Sequence, residues 1–196
     1  MVTSPVLAAE PSSWRPLYRA GAIGAGIAVL LYLIALVLVF VTEMAPTSGG
    51  EDLLAYIDEN RTLYIVKQVL WILPSVLLMV TFLALAVALF PLDRTWSLVA
   101  GTIGVLSWAG TYMWPTTGEG SFVLLMLSDS YASAATDSEL SALIASAETM
   151  IAYNESPAPL GVLQALGVLL ISLVMLRGIF SRGLTWLGIL TGAVGI

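Results

Sequence analysis

The polar side chains best placed to do chemistry share one face of a long apolar stretch, residues 62–90. A helical wheel places on this face Tyr64, Gln68, Trp71, Ser75 and Phe82, with Lys67 at its edge. An ionisable residue within such a stretch is a candidate for a functional role, and glutamine and serine can hydrogen-bond across helices. We therefore predict that this face points inward and that part of it contacts a lipid or a partner. The candidate contacts are Lys67, Gln68, Trp71 and Ser75.

Lys67 has two interpretations that differ in where its ammonium group lies. It follows Arg61 by six residues, or about 9 Å of helix, so its side chain can reach outer lipid headgroups and snorkel there. Alternatively, the ammonium pairs with a loop acid such as Glu119, a lipid phosphate or a partner subunit. Snorkelling is the favoured expectation because Lys67 lies so near the interface. Gln68 could hydrogen-bond to Gln164, the comparable polar side chain of a later apolar run.

The sequence contains few side chains that are suited to catalysis or to metal binding. The chain has no histidine and no cysteine, and no aspartate or glutamate lies within its apolar runs. Thiolate nucleophiles, iron–sulfur ligation and the commonest metal ligand and general base are therefore missing. We expect no enzyme activity, no catalytic residue, no metal site and no cofactor. The net charge of −6 argues against nucleic-acid binding.

Composition indicates an integral membrane protein. Of the 196 residues, 59% are hydrophobic and 10% are charged, against about 25% charged in ordinary soluble proteins. We predict an all-α fold, a polytopic transmembrane helical bundle forming a single domain over residues 1–196. The predicted spans are 21–41, 62–90, 97–114 and 158–176, with a truncated fifth at 184–196. The fifth is about 20 Å of helix, too short to cross a membrane, so we expect the chain to be incomplete at its C-terminus.

The cations predict the orientation of these spans. Five of the seven lie on the side of the N-terminus, namely Arg15, Arg19, Arg94, Arg177 and Arg182. By the positive-inside rule this side is cytoplasmic. The loops 42–61 and 115–157 then lie outside and carry most of the acidic residues. We expect a bacterial cytoplasmic membrane protein with a cytoplasmic N-terminus.

Both outer loops contain helical patterns. In the first, Leu53, Leu54 and Ile57 form one apolar face, which predicts a short helix lying at the membrane surface. The second loop opens with an apolar patch, 122–127, that is too short to cross the membrane.

The second half of the later loop predicts an amphipathic helix over Asp137–Tyr153. Thr136 and Glu139 match the S/T-x-x-E capping box that often begins a helix. The apolar residues that then recur at helical spacing are Leu140, Leu143, Ile144, Ala147, Met150 and Ile151. We expect this extracytoplasmic helix to lie flat, as a lid over the outer ends of the spans.

Small residues and one proline shape the predicted spans. Small residues spaced along a helix let another helix approach closely, and the candidate packing residues are Gly24, Gly26, Gly101, Gly104, Gly188 and Gly192. Pro74 is expected to kink its helix and to free the carbonyl of Leu70. That carbonyl must then face another helix, water or the hydroxyl of Ser75.

Aromatic side chains collect toward the predicted outer half of the spans. They are Tyr64, Trp71, Trp108, Tyr112 and Trp114. A quinone, a carotenoid or a lipid tail could stack there at the helix surface, although an ordinary interfacial belt of aromatic residues is the favoured interpretation.

Four segments together resemble a known family. They are YRAGAIGAGIAVLLYLIALVL, ENRTLYIVKQ, DSYASAATDSELSALIASAETMIAY and RGLTWLGILTGAVGI. This combination resembles a family of uncharacterised bacterial multi-span membrane proteins, grouped as a domain of unknown function, over most of the chain. The resemblance implies a bacterial source and about six spans, of which this chain would hold the first five. It implies no catalytic or binding residue.

Two functions remain as alternatives at this point. The favoured one is a non-catalytic accessory or scaffold subunit of a larger bacterial membrane complex, respiratory or photosynthetic, with membrane lipids and other membrane subunits as partners. The rival is a small stand-alone transporter or a lipid- or quinone-binding membrane protein. A polar cavity between the helices would favour the rival, whereas glycine faces buried in helix contacts would favour the subunit.

Overall fold

A computed structural model describes residues 13–113, 120–155, 159–178 and 180–196. In this part of the chain the regular structure consists of eight helices, which are α1 (Arg15–Val41), α2 (Gly50–Glu59), α3 (Arg61–Leu89), α4 (Arg94–Met113), α5 (Phe122–Ser133), α6 (Asp137–Glu155), α7 (Pro159–Met175) and α8 (Arg182–Val194). The prediction of an all-α fold is confirmed for these residues. We refer to α1, α3, α4, α7 and α8 as the main helices, and to α2, α5 and α6 as the cap.

The main helices correspond to the predicted spans. α1 begins at Arg15, earlier than predicted, because Pro16 lies in its first turn, where a missing N–H breaks no hydrogen bond. Among the described residues two helices, α1 and α3, are long and apolar enough to cross a membrane. α4 has 20 residues and is less apolar, while α7 and α8 have 17 and 13 residues. Membrane association is therefore supported most directly by α1 and α3.

The centre of the main helices is a contact among α3, α4 and α7. The ring of Phe82 lies directly on Gly104, and Gly167 packs on the backbone of Gly104. One turn further along, Ala86 of α3 meets Gly101 of α4, so the two helices form an antiparallel hairpin. The apolar cluster around this contact consists of Phe82, Leu89, Ala100, Ile171, Val174 and Met175.

One further helix is added on each side of this centre. α1 packs on α3, where the hydroxyl of Thr81 donates a hydrogen bond of 3.0 Å to the carbonyl of Gly21. α8 packs on α7, where Gly192 lies against the backbone of Leu169. Within the described residues, α1 and α8 contact no other main helix. The main helices therefore form an open arrangement and not a closed bundle.

Most of the predicted packing glycines are used inside the chain. Gly24 lies on the backbone of Leu77, and Gly188 lies on Ser172, in addition to the contacts of Gly101, Gly104 and Gly192 described above. Gly26 differs, since a Cβ at this position would meet nothing within 4 Å. It follows Gly24 by two residues, about 200° around a helix, and so points away from the one neighbour that α1 has.

The cap has a core of its own. Leu53, Leu54 and Ile57 of α2 are at most 3% exposed and are packed against α5 and α6. At the start of α2, Gly50 lies close to the carbonyl of Ile144 in α6, so that the two backbones nearly touch. The expectation that α2 lies at a membrane surface is therefore wrong for its apolar face, because α5 and α6 cover that face instead.

α6 confirms the predicted amphipathic helix but not its position as a lid. The capping box is formed, with the Glu139 N–H 3.2 Å from Thr136 Oγ1 and the Glu139 carboxylate accepting from the N–H of Ala135 at 3.0 Å. The apolar stripe, including the fully buried Ala147, packs on α2 and α5. Among the described residues, α6 contacts none of the main helices, because α2 and α5 have already covered its stripe.

α5 is the one helix that the sequence patterns did not identify. It begins after Ser121, whose hydroxyl accepts a hydrogen bond of 2.9 Å from the N–H of Val123, an ordinary N-cap. Ser128, in the middle of α5, donates a hydrogen bond of 2.8 Å to the carbonyl of Leu54. The apolar patch that is too short to cross a membrane is thus the inner helix of the cap.

α3 continues through Pro74, which is fully buried. Leu70, one turn earlier, is only 9% exposed, so this residue is covered by protein. Ser75 does not bond to the Leu70 carbonyl, and its buried hydroxyl has no hydrogen-bond partner among the described residues. A serine hydroxyl in a helix reaches carbonyls three or four residues back, whereas Leu70 lies five back.

Acid is expected to loosen the cap through two carboxylates. Hydrogen bonds from the guanidinium of Arg61 lower the pKa of Asp129, and the N–H of Ala135 together with Thr136 lowers the pKa of Glu139. A lowered folded-state pKa gives stability that is present above the ordinary values of 3.8 and 4.5 and is lost as the pH falls through the folded values. Cleavage of the cap by pepsin should therefore accelerate as the pH falls from about 5 to about 3.

The double variant Asp129→Asn with Glu139→Gln provides the control for this prediction. It should be cleaved faster than the wild type near pH 5 and should show a flatter pH dependence, because neither side chain can titrate. Identical pH profiles for the variant and the wild type would contradict the prediction.

Candidate functional site

The candidate face of α3 meets the base of the cap at Tyr64. This side chain is 1% exposed, and its hydroxyl donates to the carbonyl of Ser121 and accepts from the N–H of Ser121, both at 2.8 Å. Gly120 has a φ of 137°, and a Cβ there would overlap the Tyr64 hydroxyl, so both the backbone and the contact require glycine. Tyr64 thereby fixes the start of α5 onto α3.

Lys67 lies one turn below this junction and is covered by protein. Its side chain is 3% exposed, and Nζ donates a hydrogen bond of 3.2 Å to the carbonyl of Glu43, just beyond the end of α1. The snorkelling interpretation is therefore wrong. A helical wheel of α3 could not predict the bond between Lys67 and Glu43, because the accepting carbonyl lies 24 residues earlier in the chain. The alternative partner, Glu119, lies outside the described residues.

The rest of the predicted face points inward, as expected. Gln68 is 0% exposed, Ser75 is 1% exposed and Phe82 is 5% exposed. Gln68 and Ser75 are enclosed by this chain itself, so the prediction that they contact a lipid or a partner is wrong for these two residues. Trp71 is half-buried and packs beside Tyr32 of α1, with 5.8 Å between the ring centroids.

Two further polar groups lie among the main helices. The Nε2 of Gln164 in α7 donates to the Thr111 hydroxyl of α4 at 3.3 Å. The indole nitrogen of Trp108 is buried and has no hydrogen-bond partner among the described residues. Thr111 was not identified from the sequence because an isolated threonine in an apolar run carries no positional signal.

The site offers little room for a ligand. A cavity of about 70 Å³ lies at the base of the cap, with Pro46, Leu53 and Leu124 among its lining residues, whereas small-molecule sites measure roughly 300–1,000 Å³. Tyr64 is bonded and buried, so it presents no free ring for a quinone or carotenoid. Trp114 lies outside the described residues, as does the side chain of Tyr112.

Surface bonds reinforce the junction. The guanidinium of Arg61, at the start of α3, donates to both carboxylate oxygens of Asp129 in α5, with 3.0 Å between Nη2 and Oδ2. The hydroxyl of Tyr131 donates to the Glu51 carboxylate at 2.9 Å, which raises the pKa of Tyr131. Both pairs are exposed, so each adds little stability alone but helps to orient α5. The sequence offered no signal for either pair.

The polar groups of this site connect the cap to α3. Within the described ranges, no group of three or more His, Cys, Asp or Glu side chains could hold a metal. Comparison with protein-family models, with curated proteins and with solved structures finds no match. Function is therefore inferred from the site itself.

Replacing Tyr64 by phenylalanine should weaken the junction specifically. The ring would remain, but the buried N–H of Ser121 would lose its acceptor and the C=O of Ser121 would keep only the N–H of Leu124, at a cost of about 1–3 kcal/mol. The midpoint temperature of thermal unfolding should fall by several degrees, at roughly 2–4 °C for each kcal/mol of stability lost, and proteolysis within α5 should accelerate. Tyr131→Phe is the matched control, since it removes an exposed hydroxyl from the same cap. Equal effects of the two variants would contradict this role of Tyr64.

Proposed function

We propose that the main helices cross a bacterial cytoplasmic membrane and that the cap lies on its outer side. α4 has 20 residues, about 30 Å of helix, which matches the hydrocarbon thickness of a bilayer. α7 packs between α4 and α8 and is highly apolar along its 17 residues. The exposed large side chains of α1 and α8 are mostly apolar, as lipid-facing or partner-facing surfaces require.

The antiparallel packing supports the orientation with a cytoplasmic N-terminus. Arg177, after α7, forms an ion pair with Asp93, in the turn between α3 and α4, so these two ends lie together. The first residues of α1, α4 and α8 belong to the same end, which gathers the five arginines identified above. By the positive-inside rule this end is cytoplasmic, and the acidic cap is extracytoplasmic.

We propose further that the protein is a non-catalytic accessory or scaffold subunit of a larger membrane complex. The observation that carries this proposal is the open arrangement of the main helices, in which α1 and α8 each pack on one neighbour. Their remaining faces are free to contact partner subunits, with Leu33 and Leu190 exposed at 54% and 62%. The cap, joined to α3 through Tyr64 and Ser121, adds an acidic outer surface that can select a partner by charge.

The rival function, a stand-alone transporter or lipid- or quinone-binding protein, has less support. Transporters place a substrate site between helices near the middle of the membrane. Here Phe82, Gly104 and Gly167 pack closely against one another where α3, α4 and α7 meet, which disfavours a solute site at this contact. The cavity at the base of the cap measures about 70 Å³. A second cavity, between the start of α4 and the end of α7, which we call their inner ends, measures about 180 Å³.

Cross-linking in native membranes tests the subunit proposal. A photoreactive amino acid at Leu33 or Leu190 should form cross-links to a small number of defined proteins. Mass spectrometry should identify these proteins and find them in a constant ratio to this chain. The same group at Ala55, an exposed position of the cap, shows whether adducts form only at the main helices. A stable monomer in mild detergent, with no protein adduct from either helix, would overturn the subunit proposal and favour the rival.

A further inference from the structure

A groove opens to the surface between the inner ends of α4 and α7. It has a volume of about 180 Å³ and is lined by Trp96, Leu170, Leu173, Val174 and Arg177. Four of these five side chains are largely apolar, and the single charge is the guanidinium of Arg177. Such a groove can take part of one acyl chain but is smaller than the roughly 300 Å³ of most small-molecule sites.

The charges around the groove favour an anionic ligand. The Arg177 side chain is 57% exposed, and its guanidinium has five N–H donors, of which the ion pair with Asp93 uses only part. Arg94 and Arg182, at the same end of the main helices, are also exposed. Asp93 is the one acid that the sequence places at this end beyond residue 12. A phosphate at the mouth of the groove would therefore meet an excess of positive charge.

Trp96 fixes the level of the groove relative to the bilayer. It lies in the first turn of α4, is 50% exposed and lines the groove beside Arg177. Tryptophan with arginine is the usual combination at the headgroup level of a membrane. The apolar lining then extends from the headgroups toward the acyl chains, which is the direction that a phospholipid tail must take.

We propose that this groove binds an anionic phospholipid, with its phosphate on Arg177 and part of one acyl chain along Leu170, Leu173 and Val174. Basic pockets between membrane helices on the cytoplasmic side are known to bind such headgroups. The inference rests on the membrane placement proposed above, but not on membership of a complex. It assigns to Arg177 a role beyond its ion pair with Asp93.

The test compares two lipids added to the purified chain in detergent, phosphatidylglycerol and phosphatidylcholine with the same acyl chains. Native mass spectrometry should show that phosphatidylglycerol binds roughly tenfold more tightly than phosphatidylcholine. Both lipids offer a phosphodiester to the arginine, but only phosphatidylglycerol carries a net negative charge. Arg177→Gln should abolish most of this preference. Arg61→Gln is the matched control, because it breaks a comparable exposed arginine–aspartate pair at the other end of α3.

Two further variants keep the test decisive if Arg177→Gln folds poorly. Leu173→Trp, at a position 43% exposed, should fill the groove and weaken phosphatidylglycerol binding while leaving the fold intact. Asp93→Asn keeps a good helix cap for α4 but releases Arg177, so it should strengthen binding of the anionic lipid. A role of Arg177 confined to the ion pair predicts no strengthening.

Three results would overturn the proposal. They are equal binding of the two lipids by the wild type, an unchanged preference in Arg177→Gln, and unchanged binding in Leu173→Trp, which would place the bound lipid outside the groove. A chain recovered in the soluble fraction would refute the membrane placement itself. Failure to find a partner subunit would leave the lipid measurement unaffected, so the two proposals fail separately.

Discussion

Replacing Leu54 by aspartate is expected to unfold the cap while leaving the main helices assembled. Leu54 is 0% exposed at the centre of the cap core, between α5 and α6. Truncating such a leucine costs about 2–5 kcal/mol, and an unpaired carboxylate in its place adds a desolvation penalty. The loss should exceed about 4 kcal/mol, enough to populate an open cap.

Limited proteolysis provides the measurement for this variant. Cleavage within residues 122–155 should accelerate at least tenfold, because α6 is held only by α2 and α5 among the described elements. The control is Ala55→Asp, which adds the same charge at the neighbouring but exposed position of α2. If both variants were cleaved at the same rate, the cap core described above would be incorrect.

Leucine in place of Gly104 is expected to disrupt the main helices. A Cβ at this position would overlap the ring of Phe82, which is only 5% exposed and cannot move aside, and Gly167 already lies on the Gly104 backbone. Overpacking a closed contact costs about 1–3 kcal/mol and occasionally more, and here three helices must separate. We expect the free energy of unfolding to fall by about 3 kcal/mol, which corresponds to a fall of roughly 10 °C in the midpoint temperature of thermal unfolding in detergent.

Gly26→Leu is the matched control for this substitution. It introduces the same side chain into another main helix, where a Cβ meets nothing within 4 Å. The midpoint temperature of unfolding of this variant should stay within a few degrees of the wild-type value, because leucine favours the helix more than glycine does. Comparable losses in the two variants would show that helix propensity, and not the contact at Gly104, determines the effect.

The sequence alone predicted those features that local patterns control. Thr136 and Glu139 predicted the start of α6 because a capping box is made by residues close together in the chain. Helical periodicity predicted the inward face of α3, including Gln68 and Ser75, because the buried side of a helix repeats every three or four residues. The all-α fold followed from the composition and from the length of the apolar runs.

Only the tertiary structure decided what covers each of these faces. The snorkelling interpretation of Lys67 failed because Glu43 folds back over it, and the lid interpretation of α6 failed because α2 and α5 had covered its stripe. Tyr64 and Ser121 are 57 residues apart, and no local pattern links them. Periodicity reports that a face is buried but carries no information about the partner, which depends on how the loops between helices fold.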